Sequence, residues 1–291
     1  MKKKLLALFL ALVMVGAVLP GCGDGSKDPG GQGNNGKTGE PVKGGEITVG
    51  IAQDLDDSLD PHQTVAAGTR EVLFNIFEGL VKPNSDGEMI PAVAEKYTLS
   101  EDGTTYTFTL REGVKFHNGQ TVTAEDVVYS INRCAAVPEG QEKPLVAAFS
   151  AVKSVEALDE KTVAVTIAQR DLEFISYMTA AIIPADYENQ DTAPVGTGPF
   201  KFVSWELGGD VVLEAFEDYW GGAPAVKRVI FRTIPEALNR TIGLETGEVD
   251  LAYDLGITDL ESLADNASVT TLTSPSTTVW YVGMNVQKAP F

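Results

Sequence analysis

Apolar positions along the chain change period several times, and each period predicts an element. Residues 47–51 (ITVGI) are a β-branched run suited to a buried strand, and it empties into a polar loop over 54–63. Val72, Leu73, Ile76, Phe77 and Leu80 recur at i, i+1, i+4, i+5 and i+8, which predicts a helix over 69–81, capped by Thr69 and stopped by Pro83. From 84 to about 194 the period falls to two. Tyr106, Phe108 and Leu110 alternate with threonines, predicting a hairpin of 96–100 and 104–111 around the turn 100–103, and 152–158 with 162–167 predicts another around Asp159-Glu160. Asn118-Gly119 marks a tight turn. Thr123-Ala-Glu-Asp126 opens a helix, with the threonine as cap, two acids facing the dipole, and Val127, Val128 and Ile131 on its apolar face.

Longer segments return beyond Pro194. Strands are predicted over 200–205, 211–216, 229–233 and 249–253, with a helix over 235–246 that ends at Gly247 and a short one over 258–264. A last apolar and aromatic strand spans 278–285. Strands alternating with helices point to an α/β fold with a mainly parallel open sheet, made by 46–83 and 194–278, into which the β-rich stretch 84–193 is inserted.

The first 45 residues differ from the rest. A basic start at Met1–Lys4 precedes an apolar run over 5–19, long enough for a signal-peptide core and short of a bilayer span, so 1–21 reads as a leader. Its close, Leu19-Pro-Gly-Cys22, resembles the lipobox of bacterial lipoproteins, which implies a lipid anchor on Cys22; the alternative is a Cys that merely follows a secretory core. Residues 22–45 then form the anchor and a Gly-rich linker, which at 5–6 Å times the square root of its length would hold the folded part about 25 to 30 Å from a membrane. Gly31–Thr38 matches the phosphate-loop pattern GxxxxGK[ST], yet no strand leads in and Gly39-Glu-Pro41 follows, so nucleotide binding is not expected.

Composition narrows the partners. The 291 residues are 43% hydrophobic with a net charge of −19, and removing 1–21 takes away three Lys and no acid, leaving −22. Such a surface disfavours nucleic acid. Of the 2 Cys, Cys134 stays single if Cys22 is acylated, and it reads as a small buried residue. His62 and His117 are far apart, without partners at metal-ligand spacing, and read as surface or loop-packing residues. No GxSxG elbow or HExxH occurs, and Gly196-Thr-Gly-Pro-Phe200 leads into a strand, so it reads as a structural turn. No catalytic residue, metal or cofactor is expected. The triplets Asn239-Arg-Thr241 and Asn266-Ala-Ser268 match a glycosylation pattern without meaning in a bacterial lipoprotein.

Several runs together carry a family resemblance: SLDP (58–61), NIFEGLV (75–81), YTFTLREGVKFHNG (106–119), TAEDVV (123–128), VGTGPFKF (195–202), DYWGG (218–222), GEVDL (247–251) and WYVGMNVQKAPF (280–291). Their order and wording resemble the family 5 extracellular solute-binding proteins, the oligopeptide, dipeptide and nickel receptors of ABC importers. The resemblance implies a type II periplasmic-binding-protein-like α/β fold of two lobes joined by crossing strands. It implies that this chain holds the first lobe with its β-rich insert, a hinge strand over 279–291, and that most of the second lobe is missing. It further implies capture of short peptides between the lobes and delivery to permease subunits, by a lipid-anchored monomer on the outer face of the cytoplasmic membrane. By position, Thr64, Val65, Ala66 and Ala67 resemble the segment that pairs with a peptide backbone. Tyr253 and Asp254 resemble a second contact, with Asp254 facing a ligand ammonium, and Trp280 and Tyr281 resemble cleft aromatics near the hinge. For each of these residues packing or solvation is the alternative role. A nickel, sugar or other small-molecule receptor of the same family, a surface peptide hydrolase and a signalling receptor are the rival functions.

Overall fold

The computed structural model describes residues 43–55, 58–273 and 287. In chain order its elements are β1 (Glu46–Ile51), α1 (Ala67–Leu73), β2 (Val81–Pro83), β3 (Met89–Pro91), β4 (Ala94–Leu99), β5 (Thr105–Leu110), α2 (Ala124–Ala135), β6 (Val152–Asp159), β7 (Thr162–Ile167), β8 (Phe200–Trp205), β9 (Asp210–Ala215), β10 (Arg228–Thr233), α3 (Ala237–Thr246), β11 (Leu251–Ala252) and α4 (Ile257–Leu263).

One sheet has the order β11-β1-β10-β9-β8. β1 runs parallel to both neighbours, with Val49 opposite Phe231 and Leu251, whereas β9 runs antiparallel to both β10 and β8. The sheet is therefore mixed, not mainly parallel. The return from β8 to β9 takes only residues 206–209, and a parallel pair needs a crossover of a dozen residues or more. β11 is shorter than the expected 249–253 strand. The Val249 N–H turns back to the Gly243 carbonyl at 3.2 Å, and the Asp250 carboxylate accepts the Thr48 N–H at 2.8 Å, so both residues serve the helix end and the strand edge instead.

Val49 and Ile51 share a core with Val72 and Leu73 of α1 and with Val211, Leu213 and Phe231. Gly50, between them, faces the other way, where a Cβ would lie 3.5 Å from Cγ of Arg240 in α3. The helix after β1 and the helix after β10 thus cover opposite faces.

The second sheet is antiparallel, in the order β4-β5-β7-β6. Tyr106, Phe108 and Leu110 point into its core with Val163, Val165 and Ile167, as the alternation predicts, each large side chain contributing about 1.5–3 kcal/mol of burial. Val127, Ile131 and Cys134 of α2 close that core. The α2 start is the expected capping box: the Asp126 N–H donates to Thr123 Oγ1 and the Thr123 N–H to Asp126 Oδ2 at 2.9 Å.

The helix expected over 69–81 is the largest departure. α1 begins at Ala67 without a side-chain cap, Thr69 is wholly buried inside it, and it ends at Leu73. The carbonyls of Asn75 and Ile76 turn away from the helix axis to accept the N–H groups of Phe200 and Gly198 at 3.1 and 2.9 Å. A Cβ on Gly198 would sit 2.6 Å from the Asn75 oxygen, and one on Gly196 still closer to that of Ile76, so only glycine admits this approach. Ile76, Phe77 and Leu80 remain buried, but in an irregular segment. The 278–285 strand lies outside the described residues.

Candidate ligand-binding rim

In an open α/β sheet the crevice forms beyond the carboxyl ends of parallel strands whose following helices diverge to opposite faces. β1 and β10 meet that condition. Their carboxyl ends are tied by the Ile234 N–H, which donates to the Ile51 carbonyl at 2.8 Å. Three segments frame this end of the sheet: the loop that runs from β1 to α1, residues 234–236 after β10, and residues 253–256 after β11.

The first loop is built around Asp60. Its carboxylate takes the Arg133 guanidinium bidentately, the His62 N–H at 3.0 Å and the Gln63 amide at 2.8 Å. Burial opposes the charged form, yet these donors, Arg133 foremost, hold the Asp60 carboxyl below its usual range. His62 lies beside it, 5% exposed, with one ring nitrogen 2.8 Å from the Ala181 carbonyl and the other 2.8 Å from Arg133. A guanidinium only donates, so Nδ1 accepts and the imidazole is the neutral Nε2–H form. Burial depresses its pKa, and the nearby Arg133 charge adds to that. The loop is thus bolted to α2 and to Ala181. It ends in Thr64–Ala67, where the Thr64 N–H donates to Asp60 O at 3.0 Å and its carbonyl accepts both Nε and a terminal nitrogen of Arg70. The next residue, Val65, is 81% exposed, and Ala67 is exposed at the start of α1.

The other side of the rim is set by β11. The Tyr253 hydroxyl donates to Glu71 at 2.6 Å, linking the strand end to α1, and burial with the Glu71 carboxylate pushes its pKa up. Asp254 sits at φ +57°, and it is the one residue other than glycine with positive φ among those described. Its carbonyl accepts Arg240 at 2.9 Å, and the same guanidinium donates to the carbonyls of Ile234 and Pro235 at 2.6 and 2.8 Å. The carboxylate itself is exposed and has no hydrogen-bond partner among the described residues. Trp280, Tyr281 and Cys22 lie outside those residues.

Pattern reading missed Arg240, because an arginine between Asn239 and Thr241 early in a helix looks solvent-facing. The available signal was Gly50, a strand residue without a side chain opposite that helix. Neither histidine is a surface residue. His117 donates from Nε2 to the Gly198 carbonyl at 3.0 Å, accepts the Gly196 N–H at 3.3 Å, and is depressed to about 4 by burial. Cys134 is a free, buried thiol pushed up to about 12, which suits packing and not nucleophilic chemistry. No group of three or more His, Cys, Asp or Glu among the described residues could hold a metal ion.

A second hollow of about 720 Å³ lies on the α1 face of the sheet, lined by Ile47, Val49, Phe74, Phe200, Phe231 and Leu251. Its walls are almost wholly apolar, with Arg70, Glu71 and Asn75 at the margin, so it offers a ligand few polar anchors.

The family model for bacterial extracellular solute-binding proteins, family 5 Middle, matches residues 88–291. The chain belongs to that family. This family 5 protein is 33% identical over 230 residues to a nickel-binding periplasmic protein of Escherichia coli K12, covering 74% of this chain and 43% of the relative. It is 32% identical over 243 residues to the glutathione-binding protein GsiB of Pectobacterium atrosepticum, covering 80% and 47%. Among solved structures, the Helicobacter pylori periplasmic binding protein DppA in complex with the peptide STSA aligns at a TM-score of 0.70, with 28% identity, over 78% of this chain and 50% of that one. The Agrobacterium binding protein AgaA in complex with agropinic acid aligns at 0.71, with 32% identity, over 77% and 46%. The fold is that of type II periplasmic binding proteins. This family 5 chain spans about half the length of the curated relatives it matches.

Proposed function

We propose that this protein is the solute-capturing component of an ABC importer, binding short peptides between two lobes and handing them to permease subunits on the outer face of the cytoplasmic membrane. The observation that carries the reading is the rim at the carboxyl ends of β1, β10 and β11, in a chain whose relatives are periplasmic binding proteins. There the exposed Val65 suits strand-like pairing with a peptide main chain, and the Asp254 carboxylate, without a hydrogen-bond partner among the described residues, suits a ligand ammonium. Thr64 then supports the pairing segment from within, since its own N–H and carbonyl are engaged inside the loop. Ala66, Ala67 and Tyr253 shape the same end of the sheet, and in this reading Trp280 and Tyr281 are further ligand contacts and Cys22 carries the membrane anchor.

A nickel receptor is the second reading, favoured by the nickel-binding relative. Against it, all four ring nitrogens of His62 and His117 are committed to partners inside the fold, so direct ligation by either would cost those bonds. Melting temperature and calorimetry on the purified protein, with trialanine, reduced glutathione or nickel chloride added separately, distinguish the two. Trialanine or glutathione should raise the melting temperature and nickel alone should leave it unchanged. A response to nickel only replaces peptide with metal as cargo, and cleavage of trialanine in the same tube would make the protein a hydrolase.

A further inference from the structure

We propose that Arg240 is the positioning residue of the ligand rim: its guanidinium locks the segments after β10 and β11 together and thereby sets the Asp254 carboxylate. The proposal rests on the reading of that rim as the ligand site. Arg240 is 2% exposed, and among the described residues its side chain forms hydrogen bonds only to backbone carbonyls, those of Ile234 and Pro235 on one segment and that of Asp254 on the other. No carboxylate pairs with it among the described residues. A buried cation without a counter-charge is costly, so simple packing between α3 and the sheet would be better served by Leu or Met.

Two further features speak against a role in the helix itself. Arg240 lies close to the amino end of α3, where the helix dipole disfavours a cation. Its buried Nε has no partner among the described residues, so the side chain is oriented by its terminal nitrogens, the ones that reach the two segments. A planar fork holds carbonyls 14 residues and 5 or 6 residues away from two separate nitrogens, a fixed spacing that a single ammonium does not reproduce. The bond to the Asp254 carbonyl falls on the residue held at φ +57°, a conformation uncommon outside glycine that Asp tolerates better than most side chains. On the strand side the Arg240 stem packs over Gly50, where a Cβ would lie 3.5 Å from its Cγ.

Amide hydrogen exchange on the ligand-free protein, wild type against Arg240→Met and Arg240→Lys, tests the clamp. Arg240→Met should speed exchange tenfold or more at Ile234, Glu236, Asp254 and Leu255, with less than a twofold change in β4–β7. Arg240→Lys should loosen one segment and spare the other, and it carries the test if the Met variant does not fold. In an Asp254→Gly background the effect of Arg240→Met at residues 254–255 should shrink, because glycine needs no restraint at positive φ. Unchanged exchange at both segments, or a uniform rise through both sheets, would overturn the proposal. A trialanine titration adds the functional arm: affinity should fall tenfold or more in Arg240→Met and less in Arg240→Lys. Failure of the wild type to bind trialanine would remove the peptide reading while the exchange result still decides the clamp.

Discussion

His117 is held neutral by burial and by the Gly196 N–H that occupies Nδ1, against the Gly198 carbonyl, which favours the charged form, and stability must answer to pH in a defined window. Its folded pKa of about 4 lies below the unfolded 6.5, so the folded state binds fewer protons and stability falls as pH drops from 6.5 towards 4, with no further loss from this group beneath. The expected loss between pH 7 and pH 4 is on the order of 2–3 kcal/mol, and His62 is displaced in the same direction. Urea midpoints at pH 7 and pH 4.5 should show it, and His117→Gln should flatten the dependence; a variant as pH-sensitive as wild type would contradict this. Asp60 acts in the same direction at lower pH: its contribution is present above 3.8 and is lost as pH falls through its lowered folded value. Asp60→Asn at neutral pH removes the ionic partner of the half-buried Arg133 and should cost about 3–5 kcal/mol in the same urea assay, where a loss under about 1 kcal/mol would show the bolt to be ornamental.

Among elements, legibility followed whether the rule at work was local. The α2 start was readable because threonine, acid and apolar positions act within one turn, and Thr123→Ala should lower stability by about 1 kcal/mol. The hairpins β4–β5 and β6–β7 were readable for the same reason. α1 was not: the apolar spacing at Val72 to Leu80 is helical, but the chain leaves the helix at Leu73 because a segment more than 120 residues away supplies N–H donors to Asn75 and Ile76. Gly196 and Gly198 were visible in the sequence as a turn, and their reason, the backbone they press against, was not. Gly198→Ala should therefore cost about 3 kcal/mol by overpacking against that backbone, read as a lowered melting temperature; a neutral substitution would mean the junction can relax.

At the scale of the whole molecule, the family was legible from motifs because those motifs are the junctions of the fold. NIFEGLV meets VGTGPFKF, and DYWGG brings Tyr219 and Trp220 onto the buried Glu78 at 2.6 Å each. The sheet's mixed order was not legible, since strand direction depends on pairings that no short window contains. Of the proposed site, Val65 and Asp254 are named by resemblance alone, whereas Arg240 and the Asp60–Arg133–His62 bolt work only through distant partners. The measurement that bears most directly on the assignment is an amide-exchange footprint of the protein with saturating trialanine. Protection is expected around Val65–Ala67, at Ile234 and Glu236, and at Asp254–Gly256, with none at Ile47, Phe74 or Leu251 in the apolar hollow. Protection confined to that hollow, or none at any concentration, would contradict peptide capture at the carboxyl-end rim.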